Sequence, residues 1–193
     1  MGFLLDRSLV SARRIEFDKL ELAERYVMRK VYLDTTQADM CISVFVNDAE
    51  VVLTGTSVNA MSVKHKNSEY IRFAEEYDIQ FIFADNVPKV DFYSVPMVDV
   101  FAIDSVGGYL GSIGYFTDFE QDIPICYVDA DKNCYLIAKS GAEFLSKVKH
   151  WKEQLIPYTD IEFLDSYEIA QHKYEFLDRL GIENELKNVG NNS

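Results

Sequence analysis

Three polar side chains in the second half of the chain reproduce the opening of a calcium-binding loop. Asp129, Asp131 and Asn133 have the D-x-D-x-N spacing that lets alternate side-chain oxygens reach one cation. Such a loop also needs glycine at its sixth position and a bidentate glutamate at its twelfth, and these positions hold Cys134 and Ser140. The segments on either side are β-rich rather than helical. The sequence therefore favours a polar hairpin turn over a calcium site, and we predict no bound metal.

Four glycines, at positions 107, 108, 111 and 114, suggest a phosphate-binding loop as a second chemistry. Neither G-x-G-x-x-G nor G-x-x-x-x-G-K-[ST] is present, and no helix is predicted to follow. The preferred interpretation is structural. Gly107 and Gly108 would form a tight turn with positive φ, and Gly111 and Gly114 would lie in a strand that a neighbouring group approaches closely. No cofactor is predicted.

The histidines and cysteines match no metal or nucleophile motif. His65, His150 and His172 are far apart, and no two have the spacing of a metal-binding helix pair. The cysteines fit no zinc spacing and are predicted to be buried thiols in a reducing compartment: Cys41, Cys126 and Cys134. The chain contains no G-x-S-x-G and no H-x-E, so a catalytic site would have to combine distant residues. We expect a protein that binds rather than one that catalyses.

Acidic residues dominate the charge of the chain. Asp118, Glu120 and Asp122 alternate before Ile123, either as a metal or acid/base cluster or, the favoured interpretation, as a solvated loop. Overall, 32 acidic residues against 19 basic ones give a net charge of −13, which would repel nucleic acid and anionic lipid. We therefore expect no direct binding to nucleic acid or to membranes. The excess provides either solubility or an acidic face for a basic partner, and both alternatives stay open.

The length of the chain, 193 residues of which 48% are hydrophobic, allows one ordinary domain with a continuous core. We predict a single domain over 1–185 and a disordered tail over 186–193. The N-terminus does not resemble a secretory signal, and no stretch reaches the roughly 18 apolar residues of a membrane span. A cytoplasmic location is expected.

The first third of the chain is predicted to contain two helices and a hairpin. Apolar residues at helical spacing indicate an amphipathic helix over Ile15–Val31. Cys41–Val46 and Glu50–Thr54 are rich in β-branched residues and flank a polar turn, so they predict a hairpin. Gly55–Asn67 would be a polar connection, followed by a helix over Ser68–Tyr77 with Ser68 as its cap.

The middle of the chain is predicted to be mainly strands. Apolar, β-branched runs indicate strands at Ile79–Ala84, Val98–Asp104 and Tyr109–Phe116. Two prolines confine Pro88–Pro96 to a loop. The clearest local pattern is a hairpin over Pro124–Ala138, in which two β-rich runs flank a short turn.

Two more helices are predicted towards the C-terminus. Ser140 and Glu143 form an S-x-x-E capping box. An apolar stripe at helical spacing follows: Phe144, Leu145, Val148, Trp151 and Leu155. A last helix would begin at Asp165 or Ser166 and end at Gly181. Strands in the middle and helices at both ends predict an α+β fold with a mainly antiparallel central sheet flanked by helices.

The stretch from Val98 to Val148 resembles the SUKH superfamily, which includes fungal cell-wall-assembly regulators and many bacterial immunity proteins paired with secreted toxins. The similarity lies in a strand that runs into Asp104 and a glycine pair, then a late hairpin, then a helix that begins S-x-x-E-F-L at Ser140. A preceding helix is matched by Tyr70, Phe73 and Tyr77. The resemblance is strongest over 68–148, and its motifs are structural rather than chemical.

The resemblance implies a SUKH-like domain that presents a face or groove to a protein partner without catalysing a reaction. One hypothesis is an immunity protein that masks the active site of a basic toxin. The alternatives are a regulatory or scaffolding domain that binds a cellular protein, and a small-ligand receptor or enzyme that uses the turn at Asp104. Aromatic and acidic side chains on predicted loops and turns are the candidate partner-binding residues: Tyr93, Asp104, Tyr109, Tyr115, Phe116, Asp118, Glu120 and Asp122.

Overall fold

The computed structural model describes residues 29–36, 46, 49–178 and 181, and in this part the chain has an α+β fold. The helices are α1 (Ser68–Tyr77), α2 (Gly141–Lys147) and α3 (Tyr167–Lys173), with 3-10 helices at Val63–His65 and Val148–Gln154. The strands are β1 (Arg29–Asp34), β2 (Ala49–Thr54), β3 (Thr56–Val58), β4 (Gln80–Phe81), β5 (Tyr93–Val95), β6 (Val98–Ile103), β7 (Tyr109–Ile113), β8 (Ile125–Val128), β9 (Cys134–Ala138), β10 (Ile156–Pro157) and β11 (Glu162–Leu164).

A seven-stranded sheet forms the centre of the fold. Its strands follow the order β10-β9-β8-β7-β6-β3. β4 also pairs with β6, at Ala102 and Ile103, whereas β3 pairs with Val98–Val100 of the same strand. In this sheet only the β3–β6 pair is parallel, and the other neighbours are antiparallel. Short turns join β6 to β7 and β8 to β9, as antiparallel pairing allows. The predicted fold class, a mainly antiparallel sheet with helices, is therefore confirmed.

The strongest local patterns are confirmed. β8 and β9 form the predicted hairpin, in which Tyr127 is paired with Tyr135. The D-x-D-x-N segment is its turn, because the Asp129 carboxylate accepts hydrogen bonds from the backbone amides of Asp131 (3.0 Å) and Asn133 (2.8 Å). Within the described residues, no group of three or more His, Cys, Asp or Glu is arranged to hold a metal ion.

The helix starts follow from side-chain caps. Ser140 Oγ accepts a hydrogen bond from the Glu143 amide (3.2 Å), as the capping box predicts. The carboxylate of Glu143 reaches back to the amide of Lys139 (2.7 Å). α1 spans the predicted residues, but its cap is Asn67 rather than Ser68, since Asn67 Oδ1 accepts from the Glu69 amide (2.9 Å).

The N-terminal predictions are only partly covered by the described residues. Residues 15–28 of the predicted helix Ile15–Val31 lie outside the described residues. The last three residues of that prediction, 29–31, belong to β1 instead. Val31 and Leu33 are both buried and lie two residues apart, which is the spacing of a strand. The sequence did not indicate this strand, because the apolar residues before it fit helical spacing. β2 confirms the predicted strand Glu50–Thr54, but it pairs in parallel with β1. Its predicted hairpin partner lies outside the described residues except for Val46.

Two short strands lie where loops were predicted. β3 falls within the predicted connection Gly55–Asn67, and β5 within the predicted loop Pro88–Pro96. β5 pairs with β11, which the sequence did not indicate. Strands of three residues with partners distant in sequence leave no periodic pattern to detect.

Some predicted elements end earlier than expected. α3 has the predicted start, with Ser166 as its cap, but it ends at Lys173 rather than Gly181. Phe176 then forms a parallel bridge with Tyr32 and so extends the β1–β2 pair. Leu145 was predicted within the apolar stripe, yet it is 47% exposed, because α2 turns only one side towards the sheet.

Hydrophobic side chains cover both faces of the central sheet. Phe101, Leu110, Phe144 and Trp151 form the core beneath α1, α2 and the second 3-10 helix. Val98, Val100 and Val128 form the other core together with the buried, free thiols of Cys126 and Cys134. The two thiols confirm the predicted burial, and Cys41 lies outside the described residues. Among the helices of the described ranges, none is long and apolar enough to cross a membrane.

Candidate functional site

The structure distributes the eight candidate residues among three places. Tyr93 lies in β5, and Asp104 and Tyr109 flank the turn between β6 and β7. The other five follow β7, in the connection to β8: Tyr115, Phe116, Asp118, Glu120 and Asp122. Since β7 runs from Tyr109 to Ile113, about 13 Å of strand separates the turn from this connection. The candidates therefore do not form one surface.

Tyr93 is buried, so its predicted placement on a loop is wrong. Only 5% of the residue is exposed. Its hydroxyl donates to Asp34 Oδ1 (3.0 Å) and lies 2.8 Å from Thr54 Oγ1. Burial raises the pKa of Tyr93, and the nearby Asp34 carboxylate raises it further. The ring and its hydroxyl hold β5 against the β1–β2 pair rather than face a partner.

Asp104 is also buried, with 3% of the residue exposed. One carboxylate oxygen accepts hydrogen bonds from the amides of Val106 (3.1 Å) and Gly108 (2.7 Å), which closes the β6–β7 turn. The other oxygen accepts from Tyr127 Oη (3.0 Å) and Lys152 Nζ (3.3 Å). All of these partners are groups of the fold itself. Asp104 thus builds the β6–β7 turn.

Lys152 joins this turn to the end of α1. Its ammonium lies 2.6 Å from the carboxylate of Asp78, which also accepts from the amide and hydroxyl of Ser105 (2.9 Å each). Burial alone raises the pKa of Asp78, but the hydrogen bonds from Lys152 and Ser105 outweigh burial and leave it below the ordinary 3.8. The glycine-rich turn is therefore a junction between helix and sheet.

The glycines have mixed roles. Gly107 has a φ of +88°, as predicted for the turn, whereas Gly108 is needed because any Cβ would overlap the Tyr127 ring. Gly111 allows the predicted close approach, since a Cβ there would lie 2.8 Å from Val98 Cγ1. Gly114 has open space around it and a φ of +85°, so the predicted close approach at this position is wrong.

Tyr109 is half-buried at the start of β7. Its ring packs edge-on against Phe92, with 5.7 Å between ring centroids, and its hydroxyl lies 3.5 Å from the carbonyl oxygen of Lys89. Burial and the nearby carboxylate of Asp91 raise the pKa of the Tyr109 hydroxyl. Part of the ring remains on the surface, close to the turn and away from the other exposed candidates.

The remaining five candidates lie together on the segment from Gly114 to Asp122, here called the 114–122 loop. Tyr115 is 63% exposed and Phe116 is 46% exposed. Among the described residues, no other Phe, Tyr or Trp is exposed, so two adjacent exposed rings are unusual for this fold. The loop therefore presents apolar area that nothing in the described part of the fold covers.

Asp99 holds this loop from below. The residue is 2% exposed, and its carboxylate accepts a 2.7 Å hydrogen bond from the backbone amide of Thr117. The same carboxylate accepts from Ser57 Oγ (2.6 Å) and Asn59 Nδ2 (3.3 Å), next to the sheet edge. Thr117 Oγ1 in turn donates to the carbonyl oxygen of Asp99 (3.1 Å). With the loop in place, the buried carboxylate accepts three hydrogen bonds.

A second set of contacts fixes the rest of the loop. Ser112 Oγ donates to the carbonyl oxygen of Tyr115 (2.8 Å), directly beneath the exposed rings. Phe119 turns inward, and its ring packs on those of Phe101 and Phe144, with centroids 5.1 and 6.2 Å apart. Hydrogen bonds and the partly buried ring of Phe119 therefore anchor the segment on both sides of Thr117, and the exposed rings stand on a preformed backbone.

The acidic residues of the loop follow these rings in sequence. Asp118 caps a short turn, accepting from the Glu120 amide (2.9 Å) and from Gln121 Nε2 (2.7 Å). Glu120 and Asp122 are exposed. Among the described residues, no basic side chain lies within ion-pair distance of any of the three carboxylates. Their negative charge is available to a molecule that approaches the loop.

The residues that support the loop were missed in the sequence. The available signal was Asp99, the second residue and the only charged one of the apolar strand VDVFAI, which must be buried with its donors. A second signal is charge patterning: the stretch 90–131 contains eight acidic residues and no Lys, Arg or His. The favoured interpretation of Asp118, Glu120 and Asp122 as a solvated loop agrees with their placement.

Comparisons of the chain with protein-family models, with curated proteins and with solved structures give no significant match.

Proposed function

We propose that this chain is a non-catalytic, cytoplasmic protein-binding domain of the SUKH type, and that it binds its partner through the 114–122 loop. The observation that carries the proposal is the exposed pair Tyr115 and Phe116 on a backbone that the buried Asp99 holds in place. Aromatic side chains on rigid supports are the usual anchors of protein interfaces.

The rigid loop favours binding for an energetic reason. A flexible loop loses conformational entropy when it binds, whereas a loop already held by Thr117 and Phe119 loses little. The two rings offer a compact apolar contact, and each ring buried in a partner's pocket contributes about 1–2 kcal/mol or more. This combination supports recognition of a folded protein surface.

The charge around the rings supports a basic partner. Asp118, Glu120 and Asp122 add negative charge beside the apolar contact, in a chain whose net charge is −13. Such a field accelerates association with a positively charged surface and disfavours acidic ones. An immunity protein that masks the active site of a basic toxin fits these features, and the SUKH resemblance also supports this function.

A capture experiment tests the proposal. The tagged protein is incubated with lysate of its source and washed at about 50 mM and then about 500 mM salt, and bound proteins are identified by mass. The variant Glu120→Gln/Asp122→Asn removes two loop charges. The control Glu75→Gln/Glu76→Gln removes two exposed charges from α1. We expect a basic protein that high salt releases, that the loop variant fails to retain, and that the control retains.

The possible results of this experiment test separately whether the loop binds a protein and what kind of protein it binds. Equal capture by the loop variant and the wild type, or capture of no protein at all, would contradict binding through the loop. A captured basic toxin supports the immunity function. A captured cellular protein without toxin activity would instead favour a regulatory or scaffolding domain that uses the same loop.

A further inference from the structure

A surface cleft of about 300 Å³ lies where β1 and β2 meet the segment that leads into β11. Its walls come from separate parts of the chain, including Lys30, Tyr32 and Val52 of the β1–β2 pair and Thr159, Asp160 and Tyr174 nearer the C-terminus. The cleft shares no residue with the 114–122 loop. Concave sites between packed substructures are common ligand sites, and this volume would hold about ten water molecules or a ligand of similar size.

The apolar part of the cleft is aromatic on one side. The rings of Tyr32 and Tyr174 lie with centroids 4.6 Å apart. Val52, Val95 and Pro96 extend this surface with aliphatic carbon. Lys173 Nζ already lies over the Tyr174 ring, 5.6 Å from its centroid, so this wall offers the apolar body of a ligand aromatic and aliphatic carbon.

The charged groups of the cleft differ in how far they are already paired. Glu162 accepts hydrogen bonds from Lys173 and from Tyr174, which hold the pKa of Glu162 below its ordinary 4.5. Lys30 lies 3.9 Å from the carboxylate of Glu50. By contrast, the carboxylate of Asp160 has no hydrogen-bond or ion-pair partner within the described part of the chain.

We propose that the cleft binds a small organic cation of the alkylguanidinium or alkylammonium class. Its positive head pairs with Asp160, and its apolar body lies against Tyr32 and Val52. Thr159 Oγ1 and Tyr32 Oη, which have no hydrogen-bond partner among the described residues, are free to accept from the remaining N–H groups. The overall charge of −13 also raises the local concentration of cations over that of anions.

The test uses two probes of the same shape and different charge. Butylguanidinium carries the positive head, and butylurea replaces it with a neutral one. Both are titrated into the full chain, and the amide shifts of residues 159–162 are followed by NMR. We expect saturable shifts with a Kd of about 1 mM for butylguanidinium and none for butylurea. Equal shifts from both probes would overturn the proposal.

A matched pair of variants tests whether the carboxylate of Asp160 binds the cation. Asp160→Asn should weaken butylguanidinium binding at least about 5-fold, since it removes the carboxylate and keeps the shape. Asp131→Asn removes an exposed carboxylate from the hairpin turn and should leave the Kd unchanged. Unchanged binding to Asp160→Asn would overturn the site.

A last arm identifies the source of the cation. The blocked tripeptide acetyl-Gly-Arg-Gly-amide presents the same guanidinium on a protein backbone. Tighter binding of the tripeptide than of butylguanidinium indicates an arginine side chain of a partner, whereas weaker binding indicates a free small molecule. Both results keep the cation site, whereas failure of both ligands to bind contradicts it.

Discussion

The carboxylate of Asp99 in β6 accepts a 2.7 Å hydrogen bond from the backbone amide of Thr117, and so ties the central sheet to a surface loop. Ser57 and Asn59 donate to the same carboxylate. Three donors from two distant segments therefore converge on one buried side chain. The position of the exposed Tyr115 and Phe116 depends on this convergence.

The first prediction concerns Asp99 itself. Asp99→Ala leaves the Thr117 amide, Asn59 Nδ2 and Ser57 Oγ without their acceptor, and we expect a loss of about 3 kcal/mol in the free energy of unfolding. Hydrogen exchange of the Thr117 amide should also accelerate, because its bond to the sheet is gone. Denaturant unfolding and NMR exchange measure the two effects.

Asp99→Asn is the matched control. Its amide oxygen can accept from Thr117 and Asn59, while its NH₂ group donates to Ser57 Oγ, since a hydroxyl can act as donor or acceptor. We expect this variant to keep most of the stability and most of the Thr117 protection. Equal damage in the two variants would show that the charge, rather than the hydrogen bonds, holds the loop.

Local sequence signals were sufficient for part of this fold. The β8–β9 hairpin and the cap of α2 depend on neighbouring residues, such as Ser140 and Glu143, so their patterns are visible in the chain. β5 and β11 were missed because each has three residues and its partner lies about seventy residues away. Pairing of that kind is decided by tertiary packing, which no local pattern records.

For the candidate site, too, the sequence predicted only part of what the structure shows. All eight candidates were selected as aromatic or acidic side chains on predicted loops and turns. Tyr115, Phe116, Asp118, Glu120 and Asp122 do lie on a surface loop. Tyr93 and Asp104 are buried instead, because the fold brings Asp34 and Tyr127 near them. Asp99 was missed for the same reason, since Ser57 and Thr117 are distant from it in sequence.

The second prediction contrasts two adjacent residues of α2. Phe144 is fully buried, so Phe144→Ala should lower the free energy of unfolding by about 3–5 kcal/mol. Leu145 is 47% exposed, so Leu145→Ala should change it by less than about 1 kcal/mol. Urea unfolding of both variants is the measurement. Similar losses in the two would mean that α2 packs on the sheet in another orientation.

The third prediction follows from the contact between α2 and the loop. A Cβ at Gly141 would lie 2.5 Å from the Cα of Phe119, which is backbone and cannot move without shifting the loop. Gly141→Ala should therefore cost about 1–3 kcal/mol and perturb the NMR signals of Tyr115 and Phe116. Ser146→Ala, on the exposed side of the same helix, is the control and should leave both unchanged. Undisturbed loop signals in Gly141→Ala would contradict the contact.

The fourth prediction is a pH dependence at Asp78. Its pKa lies below 3.8 in the folded protein, so its contribution to stability is complete at neutral pH and is lost as the pH falls through the folded pKa. Asp78→Asn should lower stability by about 0.5–1 kcal/mol at pH 7, with allowance for solvent screening. The difference from the wild type should shrink below about pH 3.8, as Asp78 becomes protonated.

Thermal unfolding of both proteins between neutral and acidic pH measures this effect. Asn is a suitable replacement because Asp78 has a φ of +56°, a conformation that Asn tolerates. A constant difference across the whole pH range would show that the Asp78 charge does not contribute to the junction with Lys152.

The central claim is that Tyr115 and Phe116 anchor a protein partner, and the affinity of the captured partner for Tyr115→Ala/Phe116→Ala tests it most directly. Calorimetry should give a Kd about 100-fold weaker than for the wild type, with an unchanged unfolding midpoint. Val106→Ala/Ile156→Ala removes two other exposed apolar side chains, which are 71% and 61% exposed, and should bind as the wild type does. A wild-type Kd for the aromatic variant would contradict the claim.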